Sequence, residues 1–522
     1  MGFLLAKIII TINRIIFYIL GPIFALVYLR KPPRLPPIEN PLLKLSATAS
    51  AMKIRNGQLS SQALVEAYVQ RIKEVNPLLN AVVEDRFEEA LNDARLCDAR
   101  LRSGQVDSKK LETVAPLYGV PITIKESCSL KGLSFTGNTL RRKGMKARQD
   151  GAAVKLLKEA GAIPLLVSNT PELCSSIQCN NILHGCTLNP YDMRRSPGGS
   201  SGGEAALISA GASMLGLGSD FAGSIRLPAL FTGIFGHKPS PDIVPNEGHM
   251  PWSDQDLFRS MLVLGPMARY VDDLYLAMRL FDSRSETRLL PMIDDPVNLK
   301  DLRVFYVDTI NNGSSLKSST QDMKGAVHRA TRHLSEKGVR VEQLAQSSLK
   351  DLWSIMMCVY PNVEMPDLLD PDHPGSKSAS LELIKSTFGL SQYSLSVCYV
   401  QLLLDTKAFI SSETAKHYFQ VKNQLRQTLN DLLKDNGVLI CPTFPRPTIY
   451  TELILFILDS NHYCSLANLL HMPATHVPMG LNDDGLPIGL QVISARNQDH
   501  LCLAVAKEFE TAFGGWVPPP SR

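Results

Sequence analysis

The chain has 522 residues, 44% of them hydrophobic, enough for a large buried core and, at roughly 150 residues per domain, about three domains. Lysine and arginine total 54 against 50 acidic residues, so the net charge of +4 supplies no strong field for nucleic acid or an acidic partner. The ten cysteines form no CxxC pair, no histidine stands at zinc-finger spacing from them, and HMPATH lacks the glutamate of an HExxH helix, which argues against a disulfide scaffold and against a metal site.

The N-terminal sequence MGFLLAKIIITINRIIFYILGPIFALVYLR carries apolar stretches over 8–12 and 15–29, interrupted by Asn13 and Arg14, with Gly21 and Pro22 inside the second. A spanning helix needs about 20 apolar residues, so crossing a bilayer would require Arg14 to snorkel; a hairpin or a helix lying in the interface is the alternative. No A-x-A-like cleavage site follows. We read residues 1–30 as a retained N-terminal membrane anchor helix. RKPPRLPPIENP, residues 31–42, reads as a stiff proline-rich linker that holds the domain beginning at 43 off the membrane.

In SSQALVEAYVQRIKEVNP, Leu64, Tyr68, Ile72 and Val75 recur at helical spacing, with Ser60 or Ser61 as cap and Pro77 as stop. RFEEALNDARLCDARLRSG repeats the signal and ends at Gly104. YGVPITIKES is a short β-type run, and AAVKLLKEAGAIPLLVSN reads as helix, glycine stop and strand, the rhythm of a sheet flanked by helices. RRKGMKAR, residues 141–148, is the one dense basic stretch and reads as a solvated loop or a contact for anionic lipid. Strand, helix and strand recur over 300–342, where Asn312 opens an NGS sequon. Residues 361–378, rich in Pro, Asp and Ser, look like an insertion. GVLICPTFP is a buried strand, and HVPMGLNDDGLPIGLQVIS is two strands joined at Asp484-Gly485.

The densest glycine run is SPGGSSGGE, residues 196–204. It is no P-loop, because Glu204 stands where GxxxxGK[ST] needs lysine. It does satisfy GxSxG with Ser201 as nucleophile, which would require an acid and a histidine downstream, and it also reads as a tight connection without chemistry. A second glycine-serine unit, GLGSDFAGSIRLPALFTGIFGHKPS, places Ser224 after Gly223. Lys125 closes the apolar run 120–124, where burial of an ammonium is costly unless it is neutral or paired.

Taken in order, PLYGVPITIKES, SPGGSSGGE, GSDFAGSIRLPA, GIFGHKPS and MPATHVPMGLNDDGLPIGLQVI resemble the amidase signature family over most of residues 45–510. Within it, the N-terminal segment and GHKPSPDIVPNEG are most similar to membrane-anchored fatty-acid amide hydrolases of the second type. The resemblance implies an α/β fold with a large mixed central sheet covered by helices, a catalytic domain over 43–522, and no metal or organic cofactor. It implies a Ser-Ser-Lys triad: Ser224 as nucleophile, Ser200 as bridging serine in a cis peptide, and Lys125 as base. A serine hydroxyl attacks only when a neighbour takes its proton, so Lys125 must be neutral and the rate should rise toward alkaline pH.

By the same resemblance the oxyanion donors are the backbone N–H groups of Phe221, Ala222, Gly223 and Ser224. The family reads Asp-Ile-Gly-Gly-Ser where this chain reads Asp220-Phe221-Ala222-Gly223-Ser224, and a positive φ at Ala222 would strain the loop. Asp220, Arg226 and Ser201 are loop supports, and Cys174 lines the substrate pocket. ELILFILDS (452–460) and VCYVQLLLD (397–405) line a channel, face the membrane or belong to the core. The implied substrates are primary fatty-acid amides and N-acylethanolamines, the partner is a bilayer of intracellular membranes or a lipid-droplet surface, and a homodimer is compatible with the family. An α/β-hydrolase using Ser201 and a histidine, a homologue disabled at Ala222, and a tRNA-transamidating subunit are the competing readings.

Overall fold

The computed structural model describes residues 2–29, 32–283, 288–310, 319–405, 407 and 410–521, without the side chains of 2–10 and 346. Asn312 and its sequon, and Arg30 and Lys31 at the end of the N-terminal segment, lie outside the described residues.

Eleven strands form one mixed sheet: β1 (Val82–Asp85), β2 (Pro121–Lys125), β3 (Ile163–Ser168), β4 (Leu215–Asp220), β5 (Phe235–Lys238), β6 (Val263–Ala268), β7 (Arg303–Tyr306), β8 (Arg340–Gln343), β9 (Gly437–Pro442), β10 (Ala474–Leu481) and β11 (Pro487–Ser494). Their spatial order is β1-β3-β2-β4-β6-β5-β10-β11-β9-β7-β8. β3, β2 and β4 run parallel, as do β9, β7 and β8, while β4 to β9 by way of β6, β5, β10 and β11 alternate in direction. The central strands β2, β3, β4, β6 and β9 are buried at every position, and their sequences are accordingly apolar or small for the most part, with polar residues such as Lys125 and Asp220 at strand ends. This is the mixed, helix-covered sheet that the sequence predicts.

The helix after Ser60 runs over Ser61–Leu79, with the Ser60 hydroxyl accepting from Ala63 N at 3.0 Å, and it buries Leu64, Tyr68, Ile72 and Val75. It continues two residues past Pro77 instead of stopping there and ends at Asn80, which takes the left-handed conformation at φ 51°. A proline in the last turn removes one N–H from the ladder, and tertiary packing of the apolar face outweighs that loss. The hairpin at Asp484-Gly485 closes over residues 482–486, with Gly485 at φ +74° and its N–H on Asn482 O at 2.9 Å.

The N-terminus departs from expectation. Helix α1 (Gly2–Val27) lies along the 3₁₀ stretch Thr451–Asn461, with Arg14 ion-paired to Asp459 and Phe17 buried. Tyr28 bonds Glu452, and its carbonyl accepts from Arg194. Among the described residues no helix is long and apolar enough to cross a membrane. The membrane anchor helix expected over residues 1–30 is thereby corrected: Arg14 is satisfied by a carboxylate on the domain and not by a headgroup, so this face of the helix is held to protein. The opposite face exposes Ile12, Ile15, Ile19, Ile23 and Leu26 at helical spacing.

The proline-rich stretch is also not a spacer. Leu35 is buried, and Arg71, itself 2% exposed, donates to Pro36 O at 2.9 Å, Pro37 O at 3.2 Å and Ala210 O at 3.0 Å, binding residues 35–37 to the domain. The Arg141–Asp370 and Arg141–Asp372 pairs, at 2.9 and 2.8 Å, dock the insertion over 361–378 onto the basic loop. Replacing Arg71 by Met leaves the buried Ala210 carbonyl and the partly buried carbonyls of residues 36 and 37 without their donor. We expect a loss of about 2 kcal/mol in urea unfolding and new proteolytic cleavage within residues 32–42.

Candidate active site

β2 ends at Lys125, and the sheet places that ammonium-bearing side chain inside the molecule, 0% exposed. Its Nζ lies 2.6 Å from Ser200 Oγ and 2.9 Å from Ser219 Oγ. Ser200 follows a cis Gly199–Ser200 peptide bond and its carbonyl accepts from Thr170 Oγ1 at 2.9 Å. Gly199 allows the loop's close approach: a Cβ there would stand 2.6 Å from Ser176 O. Ser201 starts the segment into helix α2 (Gly202–Ser209), where it is 0% exposed. Its hydroxyl bonds the Ser219 backbone, with 3.3 Å to both N and O, and no histidine bonds it among the described residues. Ser201 therefore joins two loops and is turned away from the cavity.

The loop between β4 and helix α3 (Arg226–Thr232) carries Ser224. It is shaped by a buried ion pair: Asp220 Oδ1 accepts from Gly223 N at 2.7 Å and Arg226 Nη2 at 3.1 Å, and Oδ2 accepts from Ile225 N and Arg226 Nε, both at 3.1 Å. Arg226 reaches on to Gln491 Oε1 at 2.7 Å, Cys464 O at 2.8 Å and Asn468 Oδ1 at 2.6 Å, so β11 and the helix His462–Leu469 fix the same loop. Burial alone would raise the Asp220 carboxyl, but the Arg226 charge and hydrogen bonds outweigh it and bring it to about 2.

The backbone resolves the question raised by Ala222. Gly223 takes the positive φ of +115°, where a Cβ would stand 2.3 Å from Cys464 Cβ, and Ala222 is not among the positive-φ residues. Of the four expected oxyanion donors, Gly223 N–H is occupied by Asp220. The N–H groups of Phe221, Ala222 and Ser224 have no protein acceptor among the described residues. Asn461 Nδ2 donates to Ala222 O at 2.8 Å and so steadies the loop from its far side.

Ser200, Ser219, Ser224, His249 and Cys174 line one cavity, whose remaining wall is mostly apolar. Phe258, Met356, Met365 and Leu368 contribute, as do Tyr399, Leu403 and Leu404 from α5 (Leu395–Asp405), the helix packed on α4 (Ala379–Thr387). Leu458 and Asn461 come from the stretch that holds α1. Both segments left open between channel and core thus contribute to the wall. Phe221 meets Phe258 and Tyr360 in tilted ring contacts, with centroids 5.3 and 5.5 Å apart, and all three line the cavity with Ser224. No hydrogen bond joins Ser224 Oγ to Ser200 among the described residues. Burial by itself would raise the Cys174 thiol, yet the charge of Lys125 outweighs it and draws the thiol well below its usual value.

Sequence reasoning missed Ser219 and His249. Ser219 stands inside the quoted GLGSDFAGS, but nothing in its spacing distinguishes it from its neighbours; His249 is brought in by a loop that only the tertiary structure places. Asp220 gives a direct test of the ion pair. Its carboxyl is depressed in the fold from 3.8 to about 2, so its contribution of about 2 kcal/mol is present above pH 4 and lost as pH falls through 2. Asp220→Asn, which leaves Arg226 buried and unpaired, should cost about 3 kcal/mol or more at pH 6, and the gap to the unsubstituted protein in urea unfolding should narrow below pH 4.

The Amidase family matches residues 63–503. Human fatty-acid amide hydrolase 2 is 38% identical over 531 residues, covering 99% of this chain and 96% of its own, and Danio rerio fatty-acid amide hydrolase 2-A is 40% identical over 499 residues, covering 93% and 92%. A solved fatty acid amide hydrolase structure superposes with a TM-score of 0.74 at 23% identity, covering 93% of this chain and 87% of that one. The chain belongs to the amidase signature family and is an amidohydrolase acting on amide C–N bonds.

Proposed function

We propose that the protein hydrolyses fatty-acid amides, primary amides and N-acylethanolamines alike, to a free fatty acid and an amine by a Ser224–Ser200–Lys125 triad. The observation that carries this reading is the buried 2.6 Å hydrogen bond from Lys125 to Ser200 at the wall of an apolar cavity that Ser224 also lines. In it, neutral Lys125 takes the proton of Ser200 Oγ, Ser200 takes that of Ser224, and Ser224 Oγ bonds to the amide carbon. The carbonyl oxygen becomes an oxyanion, stabilised by the N–H groups that the Asp220 pairing leaves free. On collapse the C–N bond breaks, and Lys125 returns the proton through Ser200 to the departing amine. Water then hydrolyses the Ser224 ester by the same relay. Substrate has to draw Ser224 onto Ser200, as catalytic bonds in unliganded enzymes commonly tighten on binding.

The wall of Met, Leu and aromatic side chains supports a long acyl chain, and the chemistry needs no metal. The buried Ser201, bonded to backbone and lacking a histidine, argues against an α/β-hydrolase mechanism, and the absence of a positive φ at Ala222 argues against a disabled site. We place the protein on a bilayer surface. The outward stripe of α1, with Ile19 at 59% and Leu26 at 66% exposure, and the exposed Ile384, Phe388 and Leu390 at α4 sit on elements packed against the cavity wall.

Oleic acid release from oleamide by detergent-solubilised protein should fall at least about 100-fold in Ser224→Ala and in Lys125→Ala, and short or aryl amides should be slower than oleamide. Equal release by Ser224→Ala would remove the nucleophile assignment. Ile15→Asp with Ile19→Asp should reduce sedimentation with phosphatidylcholine vesicles while leaving hydrolysis in detergent unchanged.

A further inference from the structure

His249 stands outside the triad, 4% exposed, yet it is one hydroxyl away from Lys125. Its Nδ1 lies 3.0 Å from the carbonyl oxygen of Pro251, which can only accept, so Nδ1 carries the ring proton. Nε2 of the neutral ring is then an acceptor, and it lies 2.9 Å from Ser219 Oγ and 3.1 Å from Ser127 Oγ. Ser219, the nearer of the two hydroxyls, spends its one proton on Nε2. Its oxygen therefore faces Lys125 Nζ, 2.9 Å away, with lone pairs alone, and Lys125 is the donor in that bond.

We infer that His249 is a positioning residue that fixes the direction of the hydrogen bonds around Lys125, so that the amine keeps its lone pair for Ser200. The inference rests on the reading of Lys125 as the base. A neutral amine has two N–H donors and one lone pair. With one N–H held on Ser219, the lone pair meets the Ser200 hydroxyl at 2.6 Å, and transfer of that proton creates an ammonium whose new N–H faces Ser200 while the older one still faces Ser219. Without His249 the Ser219 hydroxyl is free to turn its proton onto Nζ. The lone pair is then occupied, Ser200 is left as acceptor, and the relay from Ser224 has nowhere to deliver its proton. Ser219 itself cannot move to avoid this, because its backbone is tied to Ser201 on one side and lies in β4 on the other.

The test uses the full chain and two readouts: kcat and KM for oleamide, and the rate of covalent labelling by an alkyl fluorophosphonate, which needs the activated serine but no amide substrate. His249→Ala should lower kcat and the labelling rate by roughly tenfold with KM changed less than about twofold, the size of one lost hydrogen bond. His249→Gln, whose Oε1 can accept the Ser219 proton, should recover most of both, and thermal unfolding of the two variants should coincide. If His249→Ala labels and turns over like the unsubstituted protein while Lys125→Ala is inert, the inference is overturned and the base assignment stands. If His249→Gln is no better than His249→Ala, hydrogen-bond direction is not what His249 supplies. If Lys125→Ala labels at the full rate, the base assignment and this inference fall together.

Discussion

The loop that carries Ser224 depends on one buried ion pair. Asp220 and Arg226 are both 0% exposed, and each carboxylate oxygen serves a backbone N–H as well as the guanidinium. Desolvating two charges is expensive, and the cost is recovered only where geometry satisfies every donor and acceptor. Here Gln491, Asn468 and the Cys464 carbonyl complete the set, so the pair ties a strand, a helix and a turn to one point. The turn itself is possible because Gly223 accepts a backbone conformation and a proximity to Cys464 that a side chain would forbid. The same carboxylate takes the N–H groups of Gly223 and Ile225, while those of Phe221, Ala222 and Ser224 have no protein acceptor among the described residues.

Around that loop the site joins two environments that would otherwise exclude each other. A small cluster of hydroxyls, one amine and one imidazole is enclosed by methionine, leucine and aromatic side chains. In such surroundings each hydrogen bond is strengthened and each unpaired polar atom is costly, so the direction of every bond in the cluster has consequences for the others. The lysine amine, the Cys174 thiol and the hydroxyls share few protons, and which atom holds each is a property of the cluster as a whole.

The N-terminal segment illustrates how tertiary contacts redirect a strong local signal. Read alone, residues 1–30 suggest a membrane anchor, spanning only if Arg14 snorkels. In the fold Arg14 meets Asp459, Phe17 is buried and Arg71 fastens the proline-rich stretch, so the segment packs along the wall of the cavity while keeping a second apolar face outward.

Much of the architecture was legible in order and pattern. Helical spacing at Leu64, Tyr68, Ile72 and Val75, the glycine stops at Gly104 and Gly161, and the mostly apolar strands follow from local preference and burial, which are written along the chain. The motifs around Lys125, Ser200 and Ser224 were legible as family resemblance, since no spacing rule relates residues so far apart. What only the tertiary structure decided is which of the loop N–H groups stay free, that Ala222 is spared a positive φ, that Ser201 turns inward, and that Ser219 and His249 stand beside Lys125. Those outcomes depend on distances between segments remote in sequence, and a hydrogen bond extends no further than about 3.5 Å. The sequence by itself determined the elements and the chemistry available; the packing of β2, β4 and their loops determined which atoms meet.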